Sequence, residues 1–133
     1  MIRRTLPALL LIAVLIAACG GQGGGGGGTI ELTAADSGST VKAAVGDVVS
    51  IALDSNASTG FRWNLVKKPN PSVLQLVSSH YVGPDTGVPG QGGQEVWTFQ
   101  ATGLGTTSLR LAYFRPFEPA NVEGTFSLTV DVS

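Results

Sequence analysis

The sequence predicts an all-β domain, a sandwich of about seven to eight antiparallel strands. Three observations predict it. No 3.6-residue periodicity persists beyond Gly28, so no amphipathic helix is expected there. Apolar residues recur instead at every second position in several short runs. Glycine, proline and asparagine punctuate the gaps between those runs, as turns between strands require.

The runs fall in order along the chain. Residues 30–33 and 41–44 are short. Residues 47–53 set Val49, Ile51 and Leu53 against the smaller Val48, Ser50 and Ala52. Residues 61–66 lead in with Phe61 and Trp63. Residues 73–81 hold Val73, Leu74, Leu76, Val77 and Tyr81. Residues 94–101 oppose Trp97, Phe99 and Ala101 to Val96, Thr98 and Gln100. Residues 107–114 place Leu109, Leu111 and Tyr113 on one face. Residues 124–132 alternate Phe126, Leu128, Val130 and Val132 with Thr125, Ser127, Thr129 and Asp131. Each pattern is that of a strand burying one face.

If consecutive strands alternate in direction, their connections alternate between two ends. The turn at Val45-Gly46 and the links 67–72 and 102–106 then share one end. Loops 54–60, 82–93 and 115–123 share the other, with the link 34–40 beside them. The second set is longer and odder in composition, and long loops on a rigid scaffold tend to carry function.

The N-terminus belongs to a different regime. Met1-Ile2-Arg3-Arg4 is basic, and residues 6–18 are apolar and uncharged. That stretch is shorter than the roughly 20 residues a spanning helix needs, so residues 1–18 are a secretory signal peptide. It ends in Leu15-Ile16-Ala17-Ala18-Cys19, which looks like a bacterial lipobox with the Cys19 thiol as lipid acceptor. Cys19 is the single cysteine of the 133-residue chain, so no disulfide is available to the domain. Residues 20–28 are glycine apart from Gln22 and serve as a flexible tether. The expected divisions are therefore 1–18, 19–28 and a single domain at 29–133, held lipid-anchored in the bacterial cell envelope and facing outside the cytoplasm.

Beyond Arg3 and Arg4 the chain carries six Lys and Arg against nine Asp and Glu, a formal charge of −3. Nucleic-acid binding needs a basic face and is not expected. Nothing indicates oligomerisation, and a monomer touching the membrane only through its anchor is expected. Catalysis finds little to work with. His80 is the single histidine, the carboxylates form no acidic motif, and neither Ser58 nor Thr59 has a base that the sequence places beside it. No metal, cofactor or enzymatic activity is expected, because metal sites need several converging ligands.

The loops suit binding. Asp54, Ser55 and Asn56 can fold the backbone through their side chains, Gly60 tolerates positive φ, and Ala57, Ser58 and Thr59 keep the tip narrow. The glycines of 83–93 leave backbone groups bare. Pro116 and Pro119 stiffen the third loop, where Arg115 and Phe117 are residue types that contribute strongly to interfaces. A narrow polar tip, a bare-backbone loop and a stiff aromatic loop at one end make a wedge suited to a cleft.

Three motifs in order sharpen this. N-A-S-T-G-F-R-W at Asn56 to Trp63, G-Q-G-G at Gly90 to Gly93 and R-P-F at Arg115 to Phe117 resemble the N-P-T-T-G-x-x-W, G-x-G-G and R-P-W motifs of the chagasin family. That family consists of inhibitors of papain-like cysteine peptidases with an immunoglobulin-like fold. The resemblance implies a reversible, non-covalent block of the peptidase cleft by Asn56, Ala57, Ser58, Thr59, Gly60, Gly90, Gln91, Gly92, Gly93, Arg115, Pro116 and Phe117. Thr59 would approach the catalytic cysteine, Gly90, Gly92 and Gly93 would lie along the unprimed side, and Arg115 and Phe117 would cover the primed side. Trp63 would pack in the core. Ala57 in place of proline, Ser58 in place of threonine and Phe117 in place of tryptophan depart from the family pattern. The alternative is an envelope binding or adhesion module whose ligand is not a peptidase.

Overall fold

A computed structural model describes residues 27–84 and 92–133. Cys19, Gly90 and Gln91 lie outside the described residues, as do the signal peptide and all but the last two residues of the tether.

The described residues form eight strands: β1 (Thr29–Leu32), β2 (Ser39–Ala43), β3 (Val48–Ser55), β4 (Arg62–Lys67), β5 (Leu74–Val82), β6 (Gly93–Ala101), β7 (Gly105–Phe114) and β8 (Gly124–Val132). Their ends agree with the alternating runs to within two residues. Two short 3₁₀ turns, Ala34–Asp36 and Ala57–Thr59, lie between strands. One sheet has the order β1-β3-β6-β5 and the other β2-β8-β7-β4. β1 runs parallel to β3, and β2 parallel to β8. The remaining pairs are antiparallel. Both parallel pairs join strands an even number of steps apart, so consecutive strands still alternate in direction.

The core lies between the two sheets and follows the period-two pattern. Val49, Ile51 and Leu53 from β3 meet Phe99 and Ala101 from β6 and Leu74 from β5. Leu109 and Leu111 from β7 and Phe126, Leu128, Val130 and Val132 from β8 close it from the other sheet. Burying each large apolar side chain contributes about 1.5–3 kcal/mol. Trp63 and Leu65 of β4 pack against this core and are partly buried.

Two features differ from the sequence expectation. β5 is predicted to be half-buried, yet every residue after Leu74 is exposed. It is an edge strand, paired on one side only. A register shift between Leu76 and Ser78 sets Val77 outside the ladder, and Leu76, Val77, Tyr81 and Val82 are all exposed. Second, the link from β1 to β2 does not reach the long loops. Leu32 pairs with Ile51 and Ser39 with Leu128, both midway along their strands. Ile51 is four residues short of Ser55, so this link turns about 13 Å below the tip at ~3.3 Å per residue. Gly38 N donates to Ser127 O at 2.8 Å and fixes it there.

The base of the sandwich gathers the ends of β2, β4 and β6 and the starts of β3, β5 and β7. Gly28, read above as tether, already belongs to this base. Its N donates to Asp47 Oδ1 at 3.1 Å, and its O accepts from Val48 N at 2.8 Å.

Candidate functional site

The opposite end, the tip, is built from the loop joining β3 to β4, the described ends of the loop joining β5 to β6, and the loop joining β7 to β8. Register places them together. Ser55 at the end of β3 pairs with Gly93 at the start of β6, and Val82 at the end of β5 pairs with Gln94. In the other sheet Arg62 pairs with Phe114, and Tyr113 with Gly124.

The first loop is shorter than its sequence span. β3 continues through Ser55, which is buried, and the loop proper begins at Asn56. Asn56 caps the 3₁₀ turn: its Oδ1 accepts from Ser58 N at 3.2 Å and Ser58 Oγ at 2.6 Å. Thr59 N donates to Asn56 O at 3.1 Å and Gly60 N to Ala57 O at 3.2 Å. The Thr59 hydroxyl donates to Asn56 O at 2.7 Å and accepts from Phe61 N at 3.3 Å. Gly60 closes the turn at φ 85°, a left-handed conformation that other residues adopt only under strain. Ala57, Ser58 and Thr59 are all exposed.

Residues under this loop hold it, and their role has no local sequence signature. One carboxylate oxygen, Glu95 Oε2, accepts from Ser55 Oγ at 2.8 Å and Trp63 N at 3.0 Å. It ties the end of β3 to the start of β4. Trp63 Nε1 donates to Asp54 O at 3.0 Å. Tyr113 Oη accepts from Asn56 N at 3.0 Å. Its ring lies 5.3 Å from Phe61 and 5.1 Å from Trp63, centroid to centroid.

The second loop is described only at its two ends. Gly92 is exposed beside Asn56. Gly93 has a structural reason to lack a side chain: a Cβ there would sit 2.2 Å from Val82 O. The last glycine of G-Q-G-G therefore permits a close backbone approach, in addition to any backbone it offers outward.

In the third loop the two side chains of interest part company. Phe117 is 74% exposed. Arg115 is turned onto the first loop. Its Nε donates to Thr59 O at 3.0 Å and its Nη1 to Glu118 Oε1 at 3.1 Å. Its guanidinium carbon lies 4.4 Å from the Phe61 ring centroid. Glu118 N donates to Arg115 O at 2.8 Å, closing the turn that carries Pro116.

A cleft of about 550 Å³ opens beside the tip between β4 and β5, with Gly60, Trp63, Tyr81, Trp97 and Phe117 among its walls. Among the described residues no three His, Asp or Glu side chains converge as metal ligands. Chemically, the tip is a preorganised surface of exposed backbone, small hydroxyl side chains and one free aromatic ring.

Comparison with known proteins agrees with the motifs. The family model for chagasin family peptidase inhibitor I42 matches residues 42–130. Chagasin of Trypanosoma cruzi is 36% identical over 91 residues, covering 65% of this chain and 82% of that protein. Among solved structures, the cysteine protease inhibitor EhICP2 from Entamoeba histolytica superposes with a TM-score of 0.68 at 20% identity, covering 80% of this chain and 96% of its own. PbICP-C, solved in complex with falcipain-2, superposes with a TM-score of 0.59 at 20% identity, covering 84% and 95%. At these identities the two structures speak for the fold, an immunoglobulin-like sandwich.

Proposed function

The chain belongs to the chagasin family of peptidase inhibitors, a family of inhibitors and not of enzymes, and we propose that it blocks the active-site cleft of a papain-like cysteine peptidase reversibly and without a covalent bond. The observation that carries this reading is the tip itself: the family's first and third motifs meet through Arg115 and Thr59, with Phe117 left in solvent. Thr59 enters the cleft nearest the catalytic cysteine. Gly90, Gln91, Gly92 and Gly93 offer backbone to one side, and Pro116 and Phe117 cover the other. The inhibitor escapes cleavage because the 3₁₀ turn is not an extended peptide, and attack requires a near-attack geometry.

The N-terminus adds a location. The signal peptide at 1–18 and the lipidated Cys19 hold the domain in the bacterial envelope, outside the cytoplasm, as a monomer. Mass spectrometry of the membrane-extracted chain tests this, and an unmodified Cys19 or cleavage elsewhere would refute the anchor.

A titration of papain with the chain, following hydrolysis of a small substrate, tests the inhibitor reading. Competitive inhibition at sub-micromolar concentration is expected, and Thr59→Arg should abolish it while leaving the fold intact. No inhibition of papain or of several cathepsin-like peptidases would overturn the reading.

A further inference from the structure

Arg115 and Phe117 lie two residues apart in the same loop, yet one is bound inward and the other is free. We infer that Arg115 is a positioning residue that locks the first loop from outside, supplying by side-chain contact the order that proline at position 57 would supply within the chain. The inference rests on the reading of the first loop as the peptidase-blocking tip.

The turn at Ala57–Thr59 is one 3₁₀ turn, and a single turn is marginal without tertiary support. Its own bonds are short-range: Asn56 to Ser58, Asn56 to Thr59, Ala57 to Gly60. They shape the turn but do not fix where it points. Tyr113 Oη pins its first residue at Asn56 N. Arg115 pins its last, because Nε donates to the Thr59 carbonyl. The donor is ionised, and a bond from a charged donor is stronger than one between neutral groups. The arginine is itself fixed from two more directions, by Glu118 Oε1 and by the face of Phe61. A side chain held at three points is a strut. It is a poor candidate for a group that must swing out to meet a partner.

Position 57 shows what the strut replaces. Ala57 opens the turn, where the fixed φ of proline is well accommodated. Asn56 before it is extended, with φ −121° and ψ 97°, so a following proline meets no helical residue and needs ψ to open by only about 20° to reach its usual range. A proline is therefore admissible at the first position of the turn, and the alanine leaves the loop with more freedom to lose on binding.

The experiment uses the full chain in detergent micelles. Amide exchange is read by NMR, and papain inhibition is measured in parallel. Arg115→Met keeps the stem and removes the donor. We expect exchange at the Thr59 and Gly60 amides to rise at least about tenfold by loss of a charge-assisted bond, with β3 and β6 core amides unchanged. Inhibition should weaken by a similar factor. Ala57→Pro in the Arg115→Met background should then restore both protection and inhibition. Unchanged exchange at Thr59 and Gly60 in Arg115→Met would overturn the proposal. So would restored protection without restored inhibition, which would mean that Arg115 touches the peptidase directly. If the native chain does not inhibit papain at all, the inhibitor reading fails, and the exchange data alone still decide whether Arg115 orders the loop.

Discussion

At the base of the sandwich, separate segments are tied largely backbone to backbone. Gly46 N donates to Ala101 O, Ala101 N to Asp47 O, Thr102 N to Val73 O and Ser133 N to Ala43 O, all within 2.8–3.0 Å. At the tip, most ties between segments come from side chains; Glu123 N to Tyr113 O, at 2.8 Å, is a backbone exception. Glu95, Trp63, Tyr113 and Arg115 each reach across to another loop or strand. Backbone ties survive a change of side chain. Side-chain ties make the tip depend on particular residues that lie far apart in the sequence. The base can therefore vary while the fold persists, and the tip can be retuned one residue at a time.

Four substitutions would sharpen or break that contrast. Glu95→Ala should have the largest effect, because one oxygen serves both Ser55 and Trp63. Losing bonds to a charged acceptor costs about 2–3 kcal/mol. The melting temperature read by circular dichroism should fall by about 10–20 °C for a domain of this size. A fall under about 3 °C would mean that this carboxylate does not hold the tip. Phe117→Ala should act on binding alone. An exposed aromatic buried at an interface is worth about 2 kcal/mol, so the inhibition constant should rise about 30-fold with the melting temperature unchanged. An unchanged constant would remove Phe117 from the contact.

Tyr113→Phe deletes a single hydroxyl and leaves Asn56 N without its tyrosine partner. About 1 kcal/mol of stability should be lost, and denaturant titration would read it. Inhibition should weaken several-fold, since the loop loses its first pin. The base offers the control. Thr102 Oγ1 donates to Pro71 O at 2.8 Å on an exposed surface. Thr102→Val should change stability by no more than about 0.5 kcal/mol and leave inhibition untouched. If it weakened inhibition as much as Tyr113→Phe, the two ends would not be independent.

Much of the fold was legible because strands announce themselves locally. The alternation of Val49, Ile51 and Leu53, and of Phe126, Leu128, Val130 and Val132, is visible in a window of a few residues. The same residues form the buried core. The joining of the tip loops followed from the parity of strand order alone. Four things were not legible. The height at which the β1–β2 link crosses depends on where β1 stops along β3, which is a matter of register between partners. The exposure of β5 depends on its place at a sheet edge, although its residues would suit a half-buried strand. The inward turn of Arg115 depends on Thr59, 56 residues away in sequence. Glu95 reads as an ordinary strand carboxylate until Ser55 and Trp63 are set beside it. Side-chain ties between distant loops leave no local pattern, so the framework of the tip was readable and its fastening was not.

Gly28 is bonded to the start of β3, and Ser133 to the end of β2, so the described chain enters and leaves the domain at the base. β3 alone runs about 26 Å from base to tip, at ~3.3 Å for each of its eight residues. Anything attached at either terminus, whether a bilayer, a resin bead or a fused protein, is thus stationed on the far pole from the loops. The domain can be displayed on a surface by either terminus with its working end pointing outward, and immobilised by one or by the other it should capture papain equally well.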